Sequence, residues 1–191
     1  AYAFVPVGNQ IDHFDEAVIQ SIFNRQEELI KKNRRLDLKM QQHNKILIVF
    51  DDIINDPKVR SSLWLNKIFV SGRHVDIACV ILSQEIGSRS GINKLCLTNA
   101  DVVLAFTIHA EYDRDLIAGK YASIISKKEG LATINAITQE TPFQAVVLHT
   151  ELVNVNSYEQ YVFKYLAAKK PPKFFIGKKY FNGKRNGDNS G

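Results

Sequence analysis

Little in this chain marks it as a secreted or membrane-spanning protein. Only two of its 191 residues are cysteine, Cys79 and Cys96, too few for a disulfide framework and without metal-ligand spacing. The pair reads as two small apolar side chains buried in a reducing compartment. The five histidines meet no Cys or His at a ligand interval, which argues against a structural zinc site. The longest apolar runs, such as Ile46 to Phe50, fall far short of the ~20 residues that cross a bilayer. The opening AYAFVPVGNQ has neither the basic start nor the long apolar core of an export signal.

What remains has ordinary globular composition, with 45% hydrophobic and 24% charged residues. Its length suits one domain with a substantial core, with room for a tail. The net charge of +5 is unevenly placed. From Lys169 onward seven cations face the single acid Asp188, so residues 1–168 are left at −1. The chain therefore divides into a near-neutral core, 1–168, and a basic tail, 169–191, whose glycine- and asparagine-rich end suits flexibility.

Along the core, Asp12 or Asp15 is placed to cap a long helix from about Glu16 to Gln42. Its apolar residues Val18, Ile19, Ile22, Phe23, Leu29, Ile30 and later Leu36 recur near helical spacing, with the KKNRR run at 31–35 as a basic stretch that suits a solvated face or, alternatively, nucleic acid. Lys45 to Asp52 predicts a buried strand, and Asp56-Pro57 a turn and helix start. A helix over about 58–71 then stops at Gly72. Buried strands follow at about 76–83, 100–108 and 144–149, with helices around 111–121 and 121–128 before the last of them. Strands alternating with helices predict an α/β fold with a mostly parallel sheet.

The chemistry concentrates at strand ends. ILIVFDD runs an apolar strand into Asp51 and Asp52, two like charges whose mutual repulsion calls for a cation or a reaction nearby. An apolar strand closing on paired acids is the pattern of a Walker B segment, in which one acid holds Mg²⁺ and the next orients the attacking water. It is equally the pattern of an acid opening a turn. Gln84 directly follows the next strand; an amide there can reach a γ-phosphate or a lytic water, or be an ordinary loop residue. Arg73, in SGRH, precedes that strand. It suits either an arginine finger or a cation at a helix C-terminus. In the tail, Lys169, Lys170, Lys173, Lys178 and Lys179 are interleaved with Phe174, Phe175, Tyr180 and Phe181, a pattern that suits nucleic acid as well as a solvated tail.

Taken in order, ILIVFDD, SGRHVDIACVILSQ and TNADVVLAF resemble the viral genome-packaging ATPases of the FtsK–HerA superfamily, in particular those of poxvirus-type large DNA viruses and their virophage relatives. The resemblance covers roughly residues 14–121. It implies a RecA-like, P-loop NTPase fold, ATP and Mg²⁺ as cofactors, and ATP-driven translocation of double-stranded DNA into a capsid. It further implies a homo-oligomeric ring docked on a capsid or portal protein, working in the host cytoplasm or associated with the virion. By residue, it implies Asp51 as the acid that holds Mg²⁺ through water, Asp52 as the catalytic acid, Gln84 as the sensor glutamine, and Arg73 as the finger. Arg89 and Arg114 stay open as alternative fingers.

One part of that machinery is missing. No G-x-x-x-x-G-K-[ST] loop occurs: Gly119-Lys120 is followed by Tyr121, and Gly177 to Gly183 has the wrong spacing. The resemblance therefore implies a carboxyl-terminal portion of a longer ATPase, inactive by itself. Two other classes stay open, namely a metal-dependent nuclease built on Asp51 and Asp52, and a non-catalytic nucleic-acid-binding module. The nuclease lacks a convergent third carboxylate, since Asp101 starts its strand and so lies at the opposite rim.

Overall fold

The computed structural model describes residues 5–37, 40–41, 45–52, 56–86, 92–123, 126–150 and 157–170. The chain forms two compact units, one of residues 15–167 and one of residues 1–14 with 168–191. In the smaller unit, Val7–Asn9 make a 3-10 turn closed by the Asn9 amide on the Pro6 carbonyl, and Lys169 and Lys170 are exposed. All the described strands belong to the larger unit.

The larger unit begins with α1, Glu16–Asn33. Asp15 caps it, its carboxylate accepting from the amides of Ala17 and Val18, which satisfies two of the four orphan donors of a helix start. Ile19, Phe23, Gln26 and Asn33 form its buried stripe. The helix ends well short of the expected Gln42. Past Ile30 the apolar spacing lapses, and the Arg35 amide turns back to the Lys32 carbonyl in a 3-10 bond.

β1, Ile46–Asp51, and β2, Ile77–Leu82, are parallel partners. Between them the expected single helix is two, α2, Pro57–Ser61, and α3, Leu63–Ser71. Ser62 ends the first and caps the second, its hydroxyl accepting from the Leu65 amide and donating to Glu16 Oε1 at 2.6 Å. α3 packs on α1 through a tilted Phe23–Trp64 pair, with Lys67 Nζ 4.1 Å from the Phe23 ring centre and 4.5 Å from that of Trp64. Gly72 begins a 3-10 turn, Gly72–Val75, that leads into β2. A Cβ there would come within 2.9 Å of the Ile77 carbonyl, so the turn needs glycine for close approach.

These two strands are half buried rather than fully buried. Phe50 and Ile77 face the helices, while Leu47 (54% exposed), Val49 (45%), Val80 (39%) and Leu82 (44%) face away. In the register Val49 pairs with Val80 and Asp51 with Leu82, so Leu47, Val49, Val80 and Leu82 share one exposed apolar face that ends at Asp51. Parallel sheets are ordinarily covered on both faces; only one layer of helices lies on this pair among the described residues.

The rest of the unit corrects the expected mostly parallel sheet. β3, Val102–Ala105, β4, Gln144–His149, and β5, Val162–Leu166, form an antiparallel sheet with β4 in the middle. The second helix of the connection between β3 and β4, α6, is Lys127–Glu140, longer and later than the one expected at 121–128. A strand followed by one helix returns parallel. Two successive helices, α5 (Glu111–Tyr121) and α6, reverse the chain once more and bring β4 back antiparallel to β3. β5 had no counterpart in the sequence expectation. The core of this half is Ala105, Ile117, Ala118, Ala122, Ile134, Ile137, Val146, Leu148 and Tyr161. A short helix α4, Lys94–Thr98, capped by Asn93, joins the two halves. Its Leu97 carbonyl accepts from Tyr121, and Thr98 Oγ1 from Lys120 Nζ.

No helix among the described residues is long and apolar enough to cross a membrane. The architecture is mixed α/β, with a small parallel sheet and an antiparallel one.

Candidate functional site at the carboxyl ends of β1 and β2

Parallel pairing brings the carboxyl ends of β1 and β2 to one rim. The ladder runs from Ile46–Ile77 to Asp51–Leu82, and one further bond, Asp52 amide to Leu82 carbonyl at 3.2 Å, carries it past the end of the strand. Asp51 and Asp52 therefore end one strand and Gln84 follows the end of the other, two residues past Leu82, on strands about 5 Å apart, and all three are exposed.

Asp52 has φ +53°, a left-handed conformation uncommon for a residue with a Cβ. The strand's alternation would otherwise send successive carboxylates to opposite faces of the sheet; it breaks at this residue. Backbone conformations of this kind cluster where a chain holds side chains for a purpose, and Asp tolerates them better than most residues.

On β2's side, Ser83 sets the backbone around Gln84. Its hydroxyl donates to the Glu85 carbonyl and accepts from the Glu85 amide at 3.2 Å, a local serine turn that encloses the glutamine. Sequence reasoning passed over Ser83, although a hydroxyl residue one place before a strand-end polar group is a turn signal. It likewise passed over Asn93, whose amide donates to the Arg60 carbonyl at 2.8 Å while its oxygen caps α4. That bond ties the helix after Asp52 to the segment after Gln84.

Arg73 lies elsewhere. It is in the 3-10 turn that precedes β2, and Gln84 follows β2. Six residues of strand separate them by about 20 Å, so one molecule does not bring Arg73 to Asp51, Asp52 and Gln84. Arg114 sits on α5 in the other half. Arg89 and the tail residues Lys173, Lys178 and Lys179 lie outside the described residues. Lys169 and Lys170 are exposed.

The donor set at the rim is two carboxylates and an amide oxygen. Such hard oxygen donors fit Mg²⁺, which is held by one or two carboxylates together with water and phosphate oxygens. Among the described residues no group of three or more His, Cys, Asp or Glu side chains is arranged to hold a metal ion. The cysteines take no part: burial pushes the Cys79 thiol up to about 12, with Cys96 adding to the effect, and the Cys96 thiol up to about 11. Both are free thiols, protonated at neutral pH and so poor nucleophiles.

In comparisons with family models and with curated proteins, the sequence matches none.

Proposed function

We propose that this chain is the carboxyl-terminal part of the ATPase core of a DNA-packaging translocase, RecA-like in fold and related to the FtsK–HerA packaging ATPases. The observation that carries the reading is the placement of Asp51 and Asp52, and of Gln84 two residues past Leu82, at the carboxyl ends of two adjacent parallel strands. In parallel α/β sheets this rim is where ligands bind. β2 also has an unpaired second edge among the described residues, which suits the addition of a strand carrying the phosphate loop that this chain lacks.

Bound Mg²⁺ would neutralise charge on the β- and γ-phosphates of ATP. Asp51 holds that ion through water. Asp52 orients the attacking water and accepts its proton, and its left-handed backbone sets it apart from Asp51. Gln84, fixed by the Ser83 turn, hydrogen-bonds the γ-phosphate or the water and passes the nucleotide state to the chain beyond β2. Arg73, about 20 Å along β2 from Gln84, acts on the ATP of a neighbouring subunit in a homo-oligomeric ring. The basic tail, with Lys169 and Lys170 at its start, contacts double-stranded DNA, and the ring docks on a capsid or portal protein.

The test is ATP hydrolysis and DNA translocation by the protein that carries this chain together with a phosphate loop. Asp52→Asn is expected to lower the hydrolysis rate by two or more orders of magnitude, the usual scale for a general base, with nucleotide binding retained. A variant that hydrolyses ATP and moves DNA at the normal rate defeats the reading.

A further inference from the structure

The end of the β1–β2 pair opposite Asp51 and Asp52 carries the opposite charge. α1 and α3 run side by side: Glu16 at the start of α1 bonds Ser62 and the Trp64 amide at the start of α3. Ten residues on, buried Gln26 donates to the Val75 carbonyl at 3.0 Å, just ahead of β2. At the same level the Ile46 amide, which opens β1, bonds the Asp76 carbonyl at 2.9 Å. α3 stops there at Ser71. α1 continues seven residues to Asn33, two turns or about 10 Å past the sheet.

Asn33 shares the buried face of Gln26, and around it Lys31, Lys32, Arg34 and Arg35 are all exposed. Lys45, on the separate segment that enters β1, is exposed at the same rim. Arg73, assigned above to a neighbouring subunit, adds to the local field. The acids on these segments are Asp37 and Asp76. Glu28 lies a turn earlier on α1, and Glu27 pairs with Lys67 at 3.9 Å. The opposite rim carries the acids Asp51, Asp52, Asp56 and Glu85, with Lys58 and Arg60 on the short helix that follows Asp56. A helix dipole accounts for a cation or two in the last turn of α1. It accounts neither for four cations around that end nor for Lys45 on another segment.

We infer that this amino-terminal rim, formed by Lys31, Lys32, Arg34, Arg35 and Lys45, is a docking surface for the phosphate backbone of duplex nucleic acid. Charge complementarity selects a polyanion. An interfacial membrane helix needs a wide apolar face, yet α1 exposes Gln20, Ser21, Asn24, Arg25 and Glu28 outward, and Met40 is the one large exposed apolar side chain described between Arg34 and Gln41. Among the described residues no exposed aromatic flanks these cations on which the bases of a single strand could stack. The rim thus reads backbone charge and not sequence. The inference deepens the translocase reading and rests on it for its place in a motor, but it is measured without nucleotide and so can fail separately.

The experiment is fluorescence anisotropy of a short random-sequence duplex with the full chain, over about 50 to 200 mM salt. Replacing Lys31, Lys32, Arg34 and Arg35 by Gln should lower the salt slope by roughly three to four, since each phosphate left without its cation takes away about one. The Arg34→Lys, Arg35→Lys variant should keep the parental slope, since charge and not shape is being read. Should the fourfold variant fail to fold by circular dichroism, Lys45→Gln alone tests the same rim and should lower the slope by about one. Lys169→Gln with Lys170→Gln weakens binding through the tail and leaves the effect of the rim substitutions intact. A parental slope in the Gln variants, or no binding at the lowest salt, overturns the inference. So does tighter binding to phosphatidylserine vesicles than to the duplex. Loss of hydrolysis in Asp52→Asn with an unchanged salt slope leaves both ideas standing; normal hydrolysis there defeats the motor and spares the rim.

Discussion

The two halves of the larger unit solve the same problem to different degrees. Around β3–β5, the central strand β4 is flanked on both sides and covered by α6, and Ala145, Val146 and Leu148 are fully buried. Around β1–β2, the strands are equally apolar in sequence, yet alternate residues face open space. Composition alone therefore does not distinguish a shielded central strand from an edge strand. Among the described residues the difference lies in strand number: β4 is shielded between two neighbours, while the edge strands β3 and β5 still expose Val102, Leu104, Phe163 and Tyr165; in the amino half both strands are edges, and the candidate site lies on their rim.

That contrast can be tested most strongly by truncating one leucine in each half. Leu148→Ala removes a fully buried side chain and should cost about 3 kcal/mol in urea unfolding, within the usual range for core leucines. Leu47→Ala, on the open face, should cost under about 0.5 kcal/mol. Equal costs would mean that the face of β1–β2 is covered in solution. The next largest effect is Gly130→Ala. Gly130 of α6 meets the Ala122 carbonyl so closely that a Cβ would clash with backbone, and the expected loss is about 2 kcal/mol by overpacking, read as a lower denaturant midpoint. A neutral substitution would mean that the packing between α5 and α6 is looser than the closed core requires.

In the amino half the corresponding joint is polar. Ser62→Ala removes the cap of α3 and the partner of Glu16 together, and should cost about 1 kcal/mol, measured the same way. The smallest effect is in pH. The Ser62 hydroxyl, with the Trp64 amide, holds the Glu16 carboxyl below its ordinary range. A lowered folded value means that the contribution is fully present above the ordinary carboxylate pKa and is lost as pH falls through the lowered one. Glu16→Gln should therefore slightly lower stability at neutral pH and leave it nearly unchanged below the lowered value, which flattens the acid limb of the stability profile. In the carboxyl half Lys164 and Gln144 lower Glu140 in the same sense, so part of the limb should survive.

These joints also mark how far the sequence could be read. β1, β2 and β4 were visible because each is a short apolar run bounded by polar residues, and the rim could be placed because ILIVFDD and IACVILSQ end at the same kind of boundary. The parity of the sheet was not visible. It turned on α6, whose Leu131, Ile134 and Ile137 recur at helical spacing behind Ser126, with the Glu129 amide bonded to its hydroxyl. Gly130 and the threonines in that stretch hid its length, and the alternation of strands and helices was read as parallel although two helices, not one, were expected between the strands at 100–108 and 144–149. β5 was hidden for a different reason: VFKYL is an edge strand with a lysine in its middle, held by partner hydrogen bonds and by Lys164 to Glu140 at 2.6 Å rather than by burial. At the site, residue types and order were legible. The left-handed Asp52 and the Ser83 turn were not, because they are properties of backbone geometry that two adjacent carboxylates and a serine do not announce.

The open face of β1 and β2 has a consequence outside the folded molecule. Among the described residues this face is a window of four aliphatic side chains beside an unpaired strand edge, the kind of surface that chaperones and quality-control proteases recognise in proteins that are not yet assembled. The lifetime of this chain in a cell would then be governed less by its unfolding free energy than by how quickly that window is covered.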